Sequence, residues 1–387
     1  MSGSGKRLRI AVLNRVFASV GGGAECYSMA LVEQLAQRHE IHVFAQQIDH
    51  RWPGVTYHTV SAPLARSRWL NQLWYAGATW WATRRGFDVV HSHENVWHGQ
   101  VQTVHVLPVK AKLFHGRTGW RRLLRGLKVL TSPRLLAYLW LEQLRFRVRD
   151  GRCIVIASGS LREPMTIAYP ATAAALQVVT PGVTLVGGPA TPALQLAARR
   201  RLGLPEGGWG ILLVGNDYRK KGLQTLIKAL AQSPDNAWLA VVGNGSQIAE
   251  FALQTKAAGV AQRVFFLGPL RDVGDAYAAA DCLAHPTLED TFAMVVLEAM
   301  AHGLPVLVSG PRHCGISLLL TNESNALMLA DPLDAKALAS ALRRVLEEPL
   351  LRHALTAAAL TFASQYQWSI IARQQEAIYF SVLARQA

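Results

Sequence analysis

Two carboxylates with seven residues between them stand out as groups that could do chemistry. They lie in the segment His285-Pro286-Thr287-Leu288-Glu289-Asp290-Thr291-Phe292-Ala293-Met294-Val295-Val296-Leu297-Glu298-Ala299-Met300. The apolar residues between Asp290 and Glu298 recur at helical spacing, which predicts a helix over 291–302 with Asp290 as its N-cap. The amides of Thr291 and Phe292 would then lack intrahelical partners, and with the helix dipole they would attract phosphate. Eight residues at roughly 1.5 Å each put the two acids about 12 Å apart along the axis, within one broad face. A glycosidase pair needs carboxyls roughly 5–9.5 Å apart. The wider spacing suits two ends of one long ligand, with one acid on sugar hydroxyls, the other on ribose hydroxyls and a diphosphate between them. The structural alternative makes Asp290 only a cap and Glu298 a buried, paired acid.

Upstream, Val214-Gly215-Asn216-Asp217-Tyr218-Arg219-Lys220-Lys221-Gly222 marks a strand-to-helix turn. Consecutive cations there, Lys220 and Lys221, can neutralise a leaving diphosphate; a solvated basic turn is the plainer alternative. Gly243-Asn244-Gly245 ends another strand, where Gly243 allows either a donor contact or a tight turn. Near the start, Gly21-Gly22-Gly23-Ala24-Glu25 opens a helix, and Gly22 and Gly23 would let backbone approach a donor closely. A nicotinamide fingerprint fails here because Cys26 stands where its third glycine belongs. His91, His93 and His105 fall at strand ends. His105 is the preferred histidine for the site, and a satisfied structural role is the alternative.

These groups need strands to carry them. Short apolar runs at 9–13, 41–45, 88–91, 102–106 and 153–157 alternate with helical patterns, the first of which covers 24–37. The alternation breaks in a Gly- and Pro-rich stretch over 181–193, a linker composition. It restarts with strands at 211–214, 238–242, 264–267 and 305–308 and helices at 222–231 and 291–302. A last helix spans 365–387. The expected fold is α/β, with two tandem Rossmann-like doubly wound domains facing a central cleft. An acceptor-binding domain covers 1–183, with the last helix packing back on it, and a nucleotide-sugar-binding domain covers 190–364.

Composition fits that plan. The 387 residues exceed one ordinary core, and with half of them apolar and 17% charged the chain is a folded globular protein. The net charge of +15 calls for an anionic partner. Two-thirds of that charge lies between Lys110 and Arg149, where eleven cations meet one acid, Glu142, and interleave with Trp120, Leu123, Leu124, Leu127, Leu135, Leu136, Tyr138, Leu139 and Trp140. That pattern suits docking on an anionic membrane surface; a solvated helical face is the alternative. No signature supports nucleic acid as a partner. Four scattered cysteines argue against a zinc site or disulfide framework and for a reducing cytosol. The basic-then-apolar start is broken at Asn14 and reads as a first strand rather than a signal peptide. No apolar run reaches spanning length.

The motifs together resemble glycosyltransferase family 4, retaining enzymes of the GT-B type. Asp290-x7-Glu298 followed by Ala299-Met300-Ala301-His302-Gly303-Leu304-Pro305-Val306 resembles the family's E-x7-E helix, with Asp for the first Glu; Glu289 could substitute for it. Lys221-Gly222 matches the family's Lys-Gly. Asn216 stands where many members have Arg, and Lys220-Lys221-Gly222 is similar to the version in lipopolysaccharide core glucosyltransferases. The resemblance implies a retaining transfer of a hexose from a nucleotide sugar, UDP foremost, to a cell-envelope glycan acceptor such as lipopolysaccharide core or a lipid-linked saccharide. It implies no metal or other cofactor and a place on the cytoplasmic face of the plasma membrane. Competing readings are a GT-B nucleotide-sugar 2-epimerase, a nicotinamide-dependent reductase and a non-catalytic peripheral membrane protein.

Overall fold

The computed structural model describes residues 6–18 and 23–385. Gly21 and Gly22 lie outside the described residues. The chain forms two compact units: one runs to Pro181 and regains the chain from Trp368, and the other is Gly182–Gln367.

The first unit holds a seven-stranded parallel sheet: β1 (Arg9–Leu13), β2 (Glu40–Ala45), β3 (Val55–Thr59), β4 (Val89–Ser92), β5 (Val101–Val104), β6 (Cys153–Ile156) and β7 (Leu176–Val178). Their order is β3-β2-β1-β4-β5-β6-β7. Helices cover such a sheet on both faces, so its central strands read as unbroken apolar runs; Ile10, Ala11, Val12 and Leu13 are all buried. The Trp368–Ala384 helix packs on the Gly23–Leu35 helix of this unit.

The second unit repeats the plan with six parallel strands: β8 (Trp209–Val214), β9 (Ala237–Val242), β10 (Val264–Gly268), β11 (Cys282–His285), β12 (Val306–Ser309) and β13 (Leu327–Leu329). Side chains alternate across it, Ile211 and Leu213 entering one core layer and Leu212 and Val214 the other. Its order is β10-β9-β8-β11-β12-β13. The chain builds outward from β8 to one edge and then returns to start again at β11. Loops leaving the carboxyl ends of β8 and β11 therefore diverge and open a crevice. The same reversal occurs between β1 and β4 in the first unit. Both units are Rossmann-like and doubly wound, the architecture expected from the alternation.

Candidate functional site in the second unit

The crevice beside β8 and β11 is built by two loops stitched together. The Leu288 amide (2.7 Å) and the Thr287 hydroxyl (2.9 Å) both donate to the carbonyl of Lys220. Gly222 makes the approach possible: its φ is +76°, and a β-carbon there would lie 1.9 Å from the Pro286 carbonyl oxygen. This contact sets two lysines opposite two acids. Lys220 pairs with Glu289 at 3.3 Å, with both side chains exposed, and Lys221 pairs with Asp290 in a largely buried bond.

Asp290 is saturated. One carboxylate oxygen accepts from the amides of Phe292 (3.3 Å) and Ala293 (2.9 Å); the other accepts from Lys221 Nζ and His285 Nε2 (3.1 Å). Its backbone is pinned to the next loop, since the Asp290 amide donates to His313 and the Gly315 amide to Asp290. Burial alone would raise its pKa; the His285 hydrogen bond and the Lys221 charge outweigh burial and hold the carboxyl far below its ordinary range. Burial keeps His285 neutral. Asp290 was expected to hold sugar hydroxyls. With four internal donors it instead positions Lys221 and the turn.

The helix expected over 291–302 spans Met294–Ala301. Ala293 just before it is left-handed, φ 71° and ψ 68°, a conformation costly for a residue with a β-carbon. Thr291 and Phe292, expected to offer phosphate-binding amides, precede the helix and do not open it. The Phe292 amide is spent on Asp290 and its ring is buried, and Thr291 also has a partner. The amides that open the helix are those of Met294 and Val295. The 12 Å helical separation of Asp290 and Glu298 therefore does not hold. Glu298 lies four residues beyond Met294, on the same face and about 6 Å along the axis. Side chains lean toward a helix's N-terminus, which aims Glu298 at the opening amides.

Glu298 is half-buried, not sealed in the core. It accepts from the Tyr277 hydroxyl at 2.7 Å. Burial raises its pKa, and the tyrosine bond partly opposes this. His302 packs against the Tyr277 ring with centroids 4.9 Å apart. Tyr277 and His285 were not singled out from the sequence. Tyr277 reads there as one more apolar residue of a helix, and nothing local predicts its hydroxyl partner. Gly243 has φ +142°, and a β-carbon on it would lie 2.0 Å from the Gly215 carbonyl oxygen. Asn216 Oδ1 accepts the Asn244 amide at 3.2 Å, tying the two glycine turns together. Among the described residues no three His, Cys, Asp or Glu side chains form a metal-holding group.

In the first unit, His93 and His105 sit just beyond the ends of β4 and β5. His93 Nδ1 and His105 Nε2 are 2.9 Å apart, with the Tyr27 ring edge-on to His105 at 4.9 Å. His91 behind them is locked by Tyr379 and Thr103, each at 2.7 Å. Burial, then the nearby Arg145 charge, lowers His105 to a pKa of about 3, so His105 is neutral. Gly23 is the first residue of its helix and is exposed.

The basic belt divides. Arg145 is buried, donating to Gln102 and the Thr103 carbonyl, and Lys110 reaches the Ala168 carbonyl. Buried Glu142 takes two backbone amides and the Tyr169 hydroxyl. These groups hold the fold. The Gly119–Leu130 helix differs: of its apolar side chains only Val129 is buried. Trp120, Leu123, Leu124 and Leu127 fall on one face at i, i+3, i+4 and i+7, exposed by half or more. Arg121, Arg122, Arg125 and Lys128 take the other face.

Residues 195–361 match the family model for glycosyl transferases group 1, and residues 21–186 match that for Glycosyltransferase Family 4. The lipopolysaccharide glucosyltransferase WaaG of Escherichia coli (strain K12) is 33% identical over 160 residues, 40% of this chain and 42% of that protein. The first curated relatives are matched over about half of their length. A crystal structure of WaaG, a glycosyltransferase involved in lipopolysaccharide biosynthesis, superposes with a TM-score of 0.79 at 22% identity, covering 96% of this chain and 99% of WaaG. Anabaena Alr3699/HepE in complex with UDP and glucose superposes at 0.75 with 19% identity, covering 97% and 100%. The fold is that of GT-B proteins.

Proposed function

We propose, from the premise that this chain belongs to the family 4 glycosyltransferases, that it moves a hexose from a nucleotide sugar to a cell-envelope glycan acceptor with retention of configuration. One juxtaposition carries the reading: Lys221, the opening amides of the Met294–Ala301 helix and Glu298 all border the crevice between β8 and β11. Lysine and amides match a diphosphate, and a carboxylate one helical turn further along matches a ribose diol.

In this reading charge builds on the diphosphate as the glycosidic bond breaks. Lys221 has hydrogens left after its bond to Asp290, and it stabilises that charge together with Lys220 and the amides. The departing phosphate takes the acceptor proton on the same face of the sugar, which gives retention without a dedicated base. No metal is needed for the charge balance, so turnover should survive chelation. UDP is favoured because the similar Anabaena protein is described with UDP and glucose. Lipopolysaccharide core is favoured as acceptor because WaaG is a lipopolysaccharide glucosyltransferase.

A screen of UDP-, GDP- and dTDP-sugars for nucleotide release, with and without lipid A–core or polyprenyl-linked acceptors, tests the proposal. Release that depends on acceptor is expected. Release without acceptor would indicate the 2-epimerase reading, and neither binding nor release would indicate a non-catalytic protein.

The Gly119–Leu130 helix supports a peripheral membrane location. A face of exposed Trp and Leu beside a cationic face suits the boundary of an anionic bilayer, each cation contributing about 1 kcal/mol before screening. No helix among the described residues is long and apolar enough to cross a membrane. The chain should co-sediment with vesicles containing anionic lipid at low salt and lose about tenfold or more of that binding when Arg121, Arg122 and Arg125 become Glu. Equal binding to neutral vesicles, or none to anionic ones, would remove this surface from the proposal.

A further inference from the structure

We propose that His93 is a positioning residue that fixes the proton of His105 on Nδ1, so that this nitrogen of His105 donates to a substrate oxygen and takes no proton. The inference rests on the transferase reading for its functional half and on geometry alone for its structural half.

The two rings share one short contact, His93 Nδ1 to His105 Nε2 at 2.9 Å, and lie 13° from coplanar. Both rings are neutral: burial lowers each pKa, and Arg145 adds to the effect. A neutral imidazole carries one N–H, so one ring donates and the other accepts. The outer nitrogens decide which. His93 Nε2 is buried without a partner, whereas His105 Nδ1 is not among the sealed atoms. If His105 donated from Nε2, the His93 proton would sit on Nε2, leaving a buried N–H with no acceptor. If His93 donates from Nδ1, only a lone pair is left unpartnered at that buried atom, the more tolerable defect. The second arrangement puts the His105 proton on Nδ1, which is not sealed in without a partner as His93 Nε2 is. Surroundings hold the pair in place. The His93 amide donates to the Leu13 carbonyl at 3.0 Å, and Tyr27 packs against both rings while its hydroxyl donates to the Val179 carbonyl at 3.2 Å.

His105 is then a neutral hydrogen-bond donor with its other nitrogen occupied. It can orient a sugar hydroxyl or a phosphoryl oxygen. It cannot act as the general base, which leaves the acceptor proton to the departing phosphate.

Long-range proton–nitrogen NMR of the full chain with 15N-labelled histidine tests this. Wild type should show His105 protonated on Nδ1 with Nε2 unprotonated. His93→Phe keeps a ring but offers no donor, and the His105 proton should spread to Nε2. His93→Asn supplies an amide N–H near the place of Nδ1 and should restore the wild-type pattern. Nucleotide-sugar turnover should follow, with kcat down on the order of tenfold in His93→Phe and recovered in His93→Asn. An Nε2-protonated His105 in wild type, or an unchanged pattern in His93→Phe, overturns the proposal. If the tautomer shifts as described but wild type turns over no nucleotide sugar, the positioning stands and the transferase reading fails.

Discussion

Lys221→Ala should lower the kcat of nucleotide release by about 100- to 1,000-fold, the usual consequence of removing one group aimed at charge that develops in the transition state. Lys220→Ala is the comparison. Lys220 is exposed and pairs with exposed Glu289, so solvent screens it and its loss should cost less than about tenfold. Two adjacent lysines thus differ in effect because their loops bury one and leave the other in water. A Lys221→Ala enzyme within tenfold of wild type would remove the diphosphate from this crevice.

The same substitution has a stability signature that separates chemistry from folding. Lys221 neutralises Asp290, whose side chain is 16% exposed, and the variant leaves that carboxylate with only His285 and two amides. A cost of about 1–3 kcal/mol is expected. The sign with pH follows from the depressed carboxyl. A group held below its ordinary pKa of 3.8 contributes stability that is full above that value and is lost as pH falls through the folded-state pKa. The Tm difference between wild type and Lys221→Ala should therefore be largest near neutral pH and shrink below about pH 4. A constant difference down to acid pH would mean the lysine matters through packing alone.

Much of this site was legible in the sequence, and its misreadings share a cause. Lys221-Gly222 and Glu298, which border the candidate site, stand out in the sequence because a strand-to-helix turn and a helical repeat are local patterns. The start of the helix was misplaced by three residues because alanine is the best helix former, so nothing in the string marks Ala293 as left-handed. That conformation is imposed from outside, by Asp290 reaching the Phe292 and Ala293 amides and by the 313–315 loop holding Asp290. Asp290 was assigned to the ligand because its donors are Lys221, 69 residues away, the buried His285 at the end of a strand the sequence hides, and amides that a regular helix would have left free. Tyr277 was missed for a similar reason, since its hydroxyl matters only where tertiary packing brings it to Glu298. Strands β3, β7 and β13 were missed at sheet edges, where short runs carry weak periodicity. β11 was missed because Cys282-Leu283-Ala284-His285 is only four residues long and follows an alanine-rich helix after the single polar residue Asp281. In the 110–149 belt, charge was legible but burial was not: Arg145 looks like its neighbours and is a core residue.

Glu298→Ala should reduce kcat/KM for the nucleotide sugar by about 100- to 10,000-fold, because a carboxylate on a diol makes two charge-assisted bonds, each worth roughly 1.5–3 kcal/mol. How the loss divides is informative. Ribose is present in substrate, transition state and product alike, so its contacts are uniform binding; their loss raises KM and weakens UDP affinity together, with kcat nearly preserved. Glu298→Gln keeps the shape and the acceptor for Tyr277 but loses the charge, and should lie between the two, near tenfold. A fall in kcat with unchanged UDP affinity would instead place the carboxylate against the transferred sugar. The pH profile offers a check that does not depend on substitution. Burial raises the Glu298 pKa above its ordinary 4.5, and the ionised form is the one that binds a diol strongly. The acid limb of kcat/KM should therefore lie above the ordinary glutamate value and vanish in Glu298→Gln. Glu298 sits on the helix whose first amides are proposed to meet the diphosphate, so in that proposal one rigid element sets the distance between ribose and phosphate. A Glu298→Ala protein that binds UDP as wild type does would break that link and, with it, the assignment of this crevice to a nucleotide sugar.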